Sequence, residues 1–367
     1  MVKDGLTFDD ILILPGYTDF KRQEVDLTTK LHDRIVLKLP VISSPMDTVT
    51  EEVMALHLAR VGGLGIIHRN LSIPAQAGMV ANVKKEGLLV GAAVGIGSDF
   101  EERVSTLVQV HADVLVIDSG HGNTKFMVDA IAFIKKNYPK AIVMAGNIAT
   151  SDGVKRLIAA GADILRVGMG PGSICTTRII TGMGVPQITA IMEAVKVLRS
   201  RIPLRGTMKA TQVTIVADGG IRQIGDMAKA LAVGAHAVML GSLLAGFNES
   251  PGDVITVNGK KYKSYRGMGS VAAMKQGSAE RYGQTRDTSE RKLIPEGVEG
   301  LVGYKGPVAQ YLDQITGSLK SSFYYIGART MAEFQKKAEI VKITPASMAE
   351  SHPHSIVVTD TGTNYRL

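Results

Sequence analysis

Eight short apolar runs, each rich in Val and Ile and each closing on glycine or a small polar residue, set the strongest limit on how this chain can fold. They are PVISSPMD (40–47), LGIIHR (64–69), LLVGAAVG (88–95), VLVIDSG (114–120), AIVMAGN (141–147), ILRVGMG (164–170), VTIVADGG (213–220) and AVMLGS (237–242). Their apolar residues are continuous rather than alternating, the pattern of strands covered on both faces in a parallel sheet. Helix candidates such as SDFEERVSTLVQVH (98–111) and GDMAKALAVGA (225–235) lie between them. Ser98 or Asp99 is expected to cap the first, and Glu101 and Glu102 suit its first turn. Eight strand–helix units in about 200 residues predict an α/β TIM (β/α)8 barrel, with an open doubly wound sheet as the alternative. In a barrel the polar run endings converge on one face: Ser44, Asp47, His68, Asp118, Asn147, Gly170, Asp218 and Ser242.

After the eighth run the pattern breaks. Residues 251–306 are too long and too polar for a simple connection, and loops of that length are usually functional or disordered. Helical periodicity returns in PVAQYLDQITGSLKSSFYYIG (307–327), and the tail 346–362 reads as irregular and suited to packing on a neighbouring subunit. The reading is one catalytic domain over 1–367 with a flap at 251–306.

Composition narrows the partners. Lys and Arg number 42 against 34 Asp and Glu, without a basic run of five, which suits attraction of anionic substrates such as nucleotides. Trp is absent and aromatics make up 5%, so the chain is poor in stacking platforms and nucleic-acid binding is disfavoured. Acids near the start argue against a signal peptide, and no stretch approaches the roughly 18 apolar residues of a membrane span. A single cysteine excludes an intrachain disulfide. The expectation is a soluble, cytoplasmic protein.

That one cysteine lies in GMGPGSICTT (168–177), at the end of the sixth run. Gly168, Gly170 and Gly172 permit backbone conformations that turn carbonyls or N–H groups toward an ion. A free cysteine is most often a small buried hydrophobe. Cys175, set among glycines and hydroxyls at a strand end, suits a nucleophile better, beside groups expected to lower its pKa. ADGGIR (217–222) and MLGSLLAG (239–246) end the seventh and eighth runs, where barrels frequently bind phosphate on backbone N–H groups. Gly219, Gly220, Gly241 and Ser242 supply such a site, and Asp218 suits two ribose hydroxyls.

GSICTT, ADGGIR, MLGSLLAG, YRGMGS, ERYGQ, PEGVEG and ESHPH, in this order, together with LTFDDILILPGY and SSPMDTVTE, resemble the IMP dehydrogenase/GMP reductase family over nearly the whole chain. The cysteine loop alone is shared by both branches. The resemblance implies attack of Cys175 on C2 of IMP, hydride transfer to NAD, and hydrolysis of a covalent thioimidate to XMP in guanine nucleotide biosynthesis. It implies that Ser173, Gly220, Gly241, Ser242 and Tyr265 hold the phosphate, Asp218 the ribose, and Gly267, Met268 and Gly269 the base, with Ser44, Met46, Asn147 and Glu296 in the same pocket. Asp118, Ser119 and Gly168 would meet NAD. Carbonyls of Gly170, Gly172 and Cys175 would form half of a K+ site completed by Glu350, Ser351 and His352 of an adjacent subunit in a homotetramer. A transition metal at SHPH is disfavoured, because no cysteine or acid cluster supports it.

The flap would carry Arg281 and Tyr282 into the vacated nicotinamide site. The family assigns Arg281 as the base that activates water, although a guanidinium is essentially always protonated. Thr177 with Glu296 offers a second proton route. One departure stands out: residues 68–95 pass directly from the second run to the third, so the CBS pair that most relatives insert there (near 84–88) is absent. The stretch 204–213 lengthens the approach to the seventh run without an assigned role. A GMP reductase using NADPH and a non-catalytic nucleotide-binding protein are the alternatives; the flap favours the dehydrogenase, because hydrolysis needs an element that activates water.

Overall fold

All eight runs become neighbouring strands of one closed, parallel barrel in the computed structural model, which describes residues 4–200, 213–284, 292–362 and 365. Three short strands precede it: β1 (Ile11–Ile13), β2 (Thr29–His32) and β3 (Ile35–Leu37). The barrel strands are β4 (Val41–Ser43), β5 (Leu64–Ile67), β6 (Val90–Val94), β7 (Val114–Asp118), β8 (Val143–Ile148), β9 (Ile164–Val167), β10 (Thr214–Asp218) and β11 (Ala237–Leu240), and β11 closes on β4 with Val238 opposite Val41.

The continuous apolarity has a direct cause. Ile42, Ile66, Val116, Met144 and Val216 point into the barrel and pack there with Leu31, Ile35 and Leu37 of the β2–β3 hairpin. Their neighbours Val41, Ile67, Leu115, Val143 and Ile215 point outward into the layer shared with the helices. Successive side chains alternate faces, and both faces are dry. The hairpin is tied to the barrel by Thr214 Oγ1 donating to the Leu31 carbonyl at 2.8 Å and Thr29 Oγ1 donating to the His236 carbonyl at 2.8 Å.

The intervening helices are α1 (Glu52–Arg60), α2 (Ile73–Lys85), α3 (Phe100–Gln109), α4 (Lys125–Asn137), α5 (Ser151–Ala160), α6 (Thr177–Thr181), α7 (Gln187–Arg199) and α8 (Ile224–Ala232). Ser72, Thr124 and Thr150 cap α2, α4 and α5 by accepting from Ala75, Met127 and Gly153 N–H groups. The expected cap of α3 is different. Asp99 precedes it but makes no cap bond, and its carboxylate takes Arg103 Nη2 at 2.6 Å and Nε at 3.0 Å instead. From α2 to β6 only residues 86–89 intervene, which leaves no inserted module between the second and third units.

The 251–306 segment holds more regular structure than its polarity suggests. Strands β12 (Ile255–Val257), β13 (Lys260–Arg266) and β14 (Glu299–Gly303) form an antiparallel sheet. A short helical stretch, α9 (Val271–Ala273), continues through turns at Met274–Ser278 and Ala279–Tyr282. Beyond it run α10 (Ala309–Ile326), α11 (Met331–Lys337) and β15 (Ile340–Lys342), which pairs antiparallel with β1. The tail is not wholly irregular, because Pro345–Glu350 forms α12, capped by Thr344. Residues 204–212, the unassigned approach to β10, lie outside the described residues.

Candidate active site

One cavity at the C-terminal end of the strands collects Ser44, Met46, Asn147, Gly168, Gly170, Gly172, Ser173, Cys175, Thr177, Asp218, Gly220, Gly241, Ser242, Tyr265, Gly267, Met268, Arg281 and Tyr282. Those residues come from seven separate stretches of sequence, so the barrel brings together what the motifs left scattered. Gly269 and Glu296 stand at its edge: a side chain at Gly269 would strike the Tyr282 ring and the Glu296 backbone. Asp47 and His68 do not join it. Asp47 pairs with Arg266 at 2.7 Å, and the buried His68 faces Glu51 Oε1 at 3.1 Å, so both are spent on holding loops.

The cysteine loop is stitched to the strand across from it. Thr176 N–H donates to the Glu296 carbonyl at 2.9 Å and Val298 N–H to the Ile174 carbonyl at 3.0 Å. Glu296 is thereby fixed beside Cys175 and Thr177. Cys175 itself is free and exposed to the cavity. The expected lowering of its pKa is not found. Loss of solvent around the sulfur pushes the thiol up to about 11; Asp218 and Glu296 add to the rise, and a backbone contact from Gly172 and the charge of Arg178 only partly offset it. The group is therefore a thiol at neutral pH. Alkylation by iodoacetamide is expected to accelerate about tenfold per pH unit between pH 7 and 9, because the thiolate fraction grows that way below the pKa. A rate that levels off below pH 8 would contradict this environment.

At the far end, Gly219 and Gly220 adopt φ of +89° and +78°, which the tight approach to Pro171 requires. Leu244 and Ala245 N–H groups donate to the Gly241 carbonyl, closing a tight turn just after β11. Lys305 Nζ donates to the Ser242, Leu243 and Ala245 carbonyls at the other end of that turn. The Tyr265 hydroxyl is buried against Ser173 and Ser242, and burial raises its pKa, keeping it a neutral donor. Asn147, where the β8–β9 register shifts, donates from Nδ2 to the Gly168 carbonyl at 2.9 Å and to Asp218 Oδ2 at 2.7 Å. Among the described residues its Oδ1 is buried without a partner.

Arg166, at 1% exposed, is the residue the sequence reading missed. It reaches from β9 to Asp118 Oδ1 at 2.6 Å and to Asp218 Oδ2 at 2.8 Å, binding two strand-end acids under the cavity floor. The signal was present: a lone arginine inside the apolar run ILRVGMG has to be paired if it is buried. Asp118 also receives the Arg281 guanidinium from the flap, and Gly120 N–H donates to the Arg281 carbonyl at 2.9 Å. The flap is thus seated on the residues expected to meet NAD.

A second groove of about 840 Å³ runs past Ser119, His121, Asn123, Phe126, Thr150 and Glu296, and shares Thr177, Arg281 and Tyr282 with the first cavity. Phe126 is 71% exposed along it, and Asn123 Oδ1 is buried without a partner. Among the residues of the expected K+ site, Gly170 has a φ of +70° and the Gly172 carbonyl accepts Cys175 N–H at 3.1 Å. Glu350, Ser351 and His352 lie at the end of α12, which packs beside the turn at 8–10, and His352 Nδ1 contacts the Tyr365 hydroxyl at 2.7 Å.

The family model described as "IMP dehydrogenase / GMP reductase domain" matches residues 5–354. The chain belongs to that family. It is 42% identical to the inosine-5'-monophosphate dehydrogenase of Borreliella burgdorferi, over 97% of this chain and 98% of the relative. It is 38% identical to that of Aquifex aeolicus and 36% identical to that of Staphylococcus aureus, in both cases over 99% of this chain and 98% of the relative. The Aquifex alignment runs over 493 residues, well beyond the 367 of this chain, so members of the IMP dehydrogenase/GMP reductase family differ by a long stretch that this chain lacks. Among the described residues no helix is long and apolar enough to cross a membrane.

Proposed function

We propose that this chain is an NAD-dependent IMP dehydrogenase that oxidises IMP to XMP through a covalent Cys175 thioimidate, in guanine nucleotide biosynthesis. The observation that carries the reading is the meeting of a free, exposed Cys175 with Arg281 and Tyr282 of the flap in one cavity. A hydrolytic second half needs an element that brings and activates water, and the flap is that element; a reductase has no such step.

The turns at Gly219–Gly220 and Gly241–Ser242, with Ser173 and Tyr265, hold the phosphate, and Asp218, oriented by Asn147 and Arg166, takes the ribose hydroxyls. Ser44, Met46, Gly267, Met268 and Gly269 confine the base so that C2 faces the sulfur. As the Cys175 sulfur bonds to C2, the C2–N3 π bond opens and N3 takes the thiol proton; the tetrahedral carbon then gives up hydride, N3 releases its proton to solvent, and the C2=N3 thioimidate remains. Bound NAD supplies the hydride acceptor. The groove suits it, with an exposed aromatic ring, Ser119 and the unpartnered Asn123 oxygen along its wall. Arg281 and Tyr282, or Thr177 with Glu296, then draw the proton from water as it attacks C2. XMP leaves and the thiol is restored.

Carbonyls of Gly170, Gly172 and Cys175 would hold K+, joined by Glu350, Ser351 and His352 from an adjacent subunit of a cytoplasmic homotetramer. A hard monovalent cation suits the oxygen donors of that loop, and its charge would order the backbone that carries the nucleophile. The test is spectrophotometric. Purified protein with IMP and NAD is expected to form NADH. NADPH consumption with GMP and no reaction with IMP would make it the reductase, and silence in both assays would leave only a nucleotide-binding protein.

A further inference from the structure

We propose that Arg69 is a latch that holds the flap closed, making it a positioning residue for the water-consuming half of the reaction. This rests on the dehydrogenase reading above. Arg69 follows β5 and is buried, 5% exposed. Its Nη1 donates to the Gly277 carbonyl at 3.3 Å and lies 3.9 Å from Glu280 Oε2. Both partners belong to the flap, immediately before Arg281.

The surroundings give that contact its purpose. Gly277 has a φ of +135°, a conformation that breaks the helical turn and that side-chain-bearing residues rarely adopt. Gly97 has no side chain to obstruct the Glu280 carboxylate packed against it, and a Cβ at Gly95 would strike the guanidinium at 2.7 Å. Among the described residues Arg69 Nε and Nη2 are buried without partners, a costly arrangement for a cation. Burial and the neighbouring Arg281 and Arg103 charges press its pKa down to about 10, against the pull of Glu280 and Asp99. The seated flap gives this cation the Gly277 carbonyl and the Glu280 carboxylate, which must outweigh the repulsion of Arg281 carried by the same segment. Such differential contact shifts the flap toward its closed state.

The order of events makes this testable. Hydride transfer precedes flap closure, whereas hydrolysis requires it. In rapid mixing of enzyme, IMP and NAD, Arg69→Gln should keep the rate of the first NADH burst within about threefold. Its steady-state turnover should fall on the order of tenfold, the loss of a hydrogen bond and ion pair to a charged group. The Cys175 adduct should accumulate during turnover. Glu280→Gln, altering a partly exposed flap residue, should move the same quantities in the same direction, and Arg69→Lys should recover part of the loss. Burst and turnover falling together in Glu280→Gln, or neither quantity changing in either variant, would overturn the latch. Absence of any NADH formation from IMP in the wild-type protein would instead refute the underlying dehydrogenase reading.

Discussion

Replacing Cys175 with alanine is expected to lower turnover at least about 10⁴-fold while leaving IMP affinity within a few-fold, because loss of a covalent nucleophile removes the reaction path and not the binding contacts. The turns at Gly219–Gly220 and Gly241–Ser242 proposed to hold the phosphate do not depend on the sulfur, and neither does the Asp218–Asn147–Arg166 cluster. Titration calorimetry with IMP separates the two consequences. Tight binding with no NADH formation is the expected pair of results. Retained turnover would remove the covalent step. Serine is a poorer test, since its hydroxyl introduces a new hydrogen-bonding group into the cavity that the thiol faces.

The second large effect concerns stability. Arg166→Met is expected to destabilise the fold by about 3–5 kcal/mol, the usual cost of removing one partner from a buried ion pair. The side chain lies between Asp118, at 2.6 Å, and Asp218, at 2.8 Å, at the ends of non-adjacent strands. Methionine fills much of the volume but leaves two carboxylates at the barrel's end without their shared cation. Arg281 still reaches Asp118, so Asp218 is the more exposed to the loss. Urea unfolding of the two proteins checks the magnitude; a change below about 1 kcal/mol would mean that water or another cation replaces the guanidinium.

Much of the barrel was legible because strand burial on both faces leaves an unbroken apolar signature, and all eight runs correspond to strands. The β2–β3 hairpin was not, since Leu31, Ile35 and Leu37 are too few and too scattered to show a period, and their burial is decided by the barrel they plug. The β1–β15 pairing joins residues more than 300 apart, a contact that no local pattern contains. In the site, the glycine turns and the cysteine loop announced themselves by composition. Arg166 signalled only that a lone arginine in an apolar run needs partners, and Arg69 gave no signal, because the partners of both are supplied by other segments. The sequence points to Asp118 as a cofactor contact; its carboxylate is held between Arg166 and the flap's Arg281, so on the proposed reading the seated flap and NAD would compete for one place. The rise of the Cys175 pKa also escaped the sequence, since glycines and hydroxyls along the chain say nothing of Asp218 and Glu296 facing the sulfur across the cavity.

The most direct measurement is the mass of the denatured protein quenched during turnover with IMP and NAD, followed by peptide mapping. A nucleotide adduct on the peptide carrying Cys175, absent when NAD is omitted and absent in Cys175→Ala, is the predicted result. Continuous NADH production with no adduct on that peptide, under quenching fast enough to trap the steady state, would contradict the covalent mechanism.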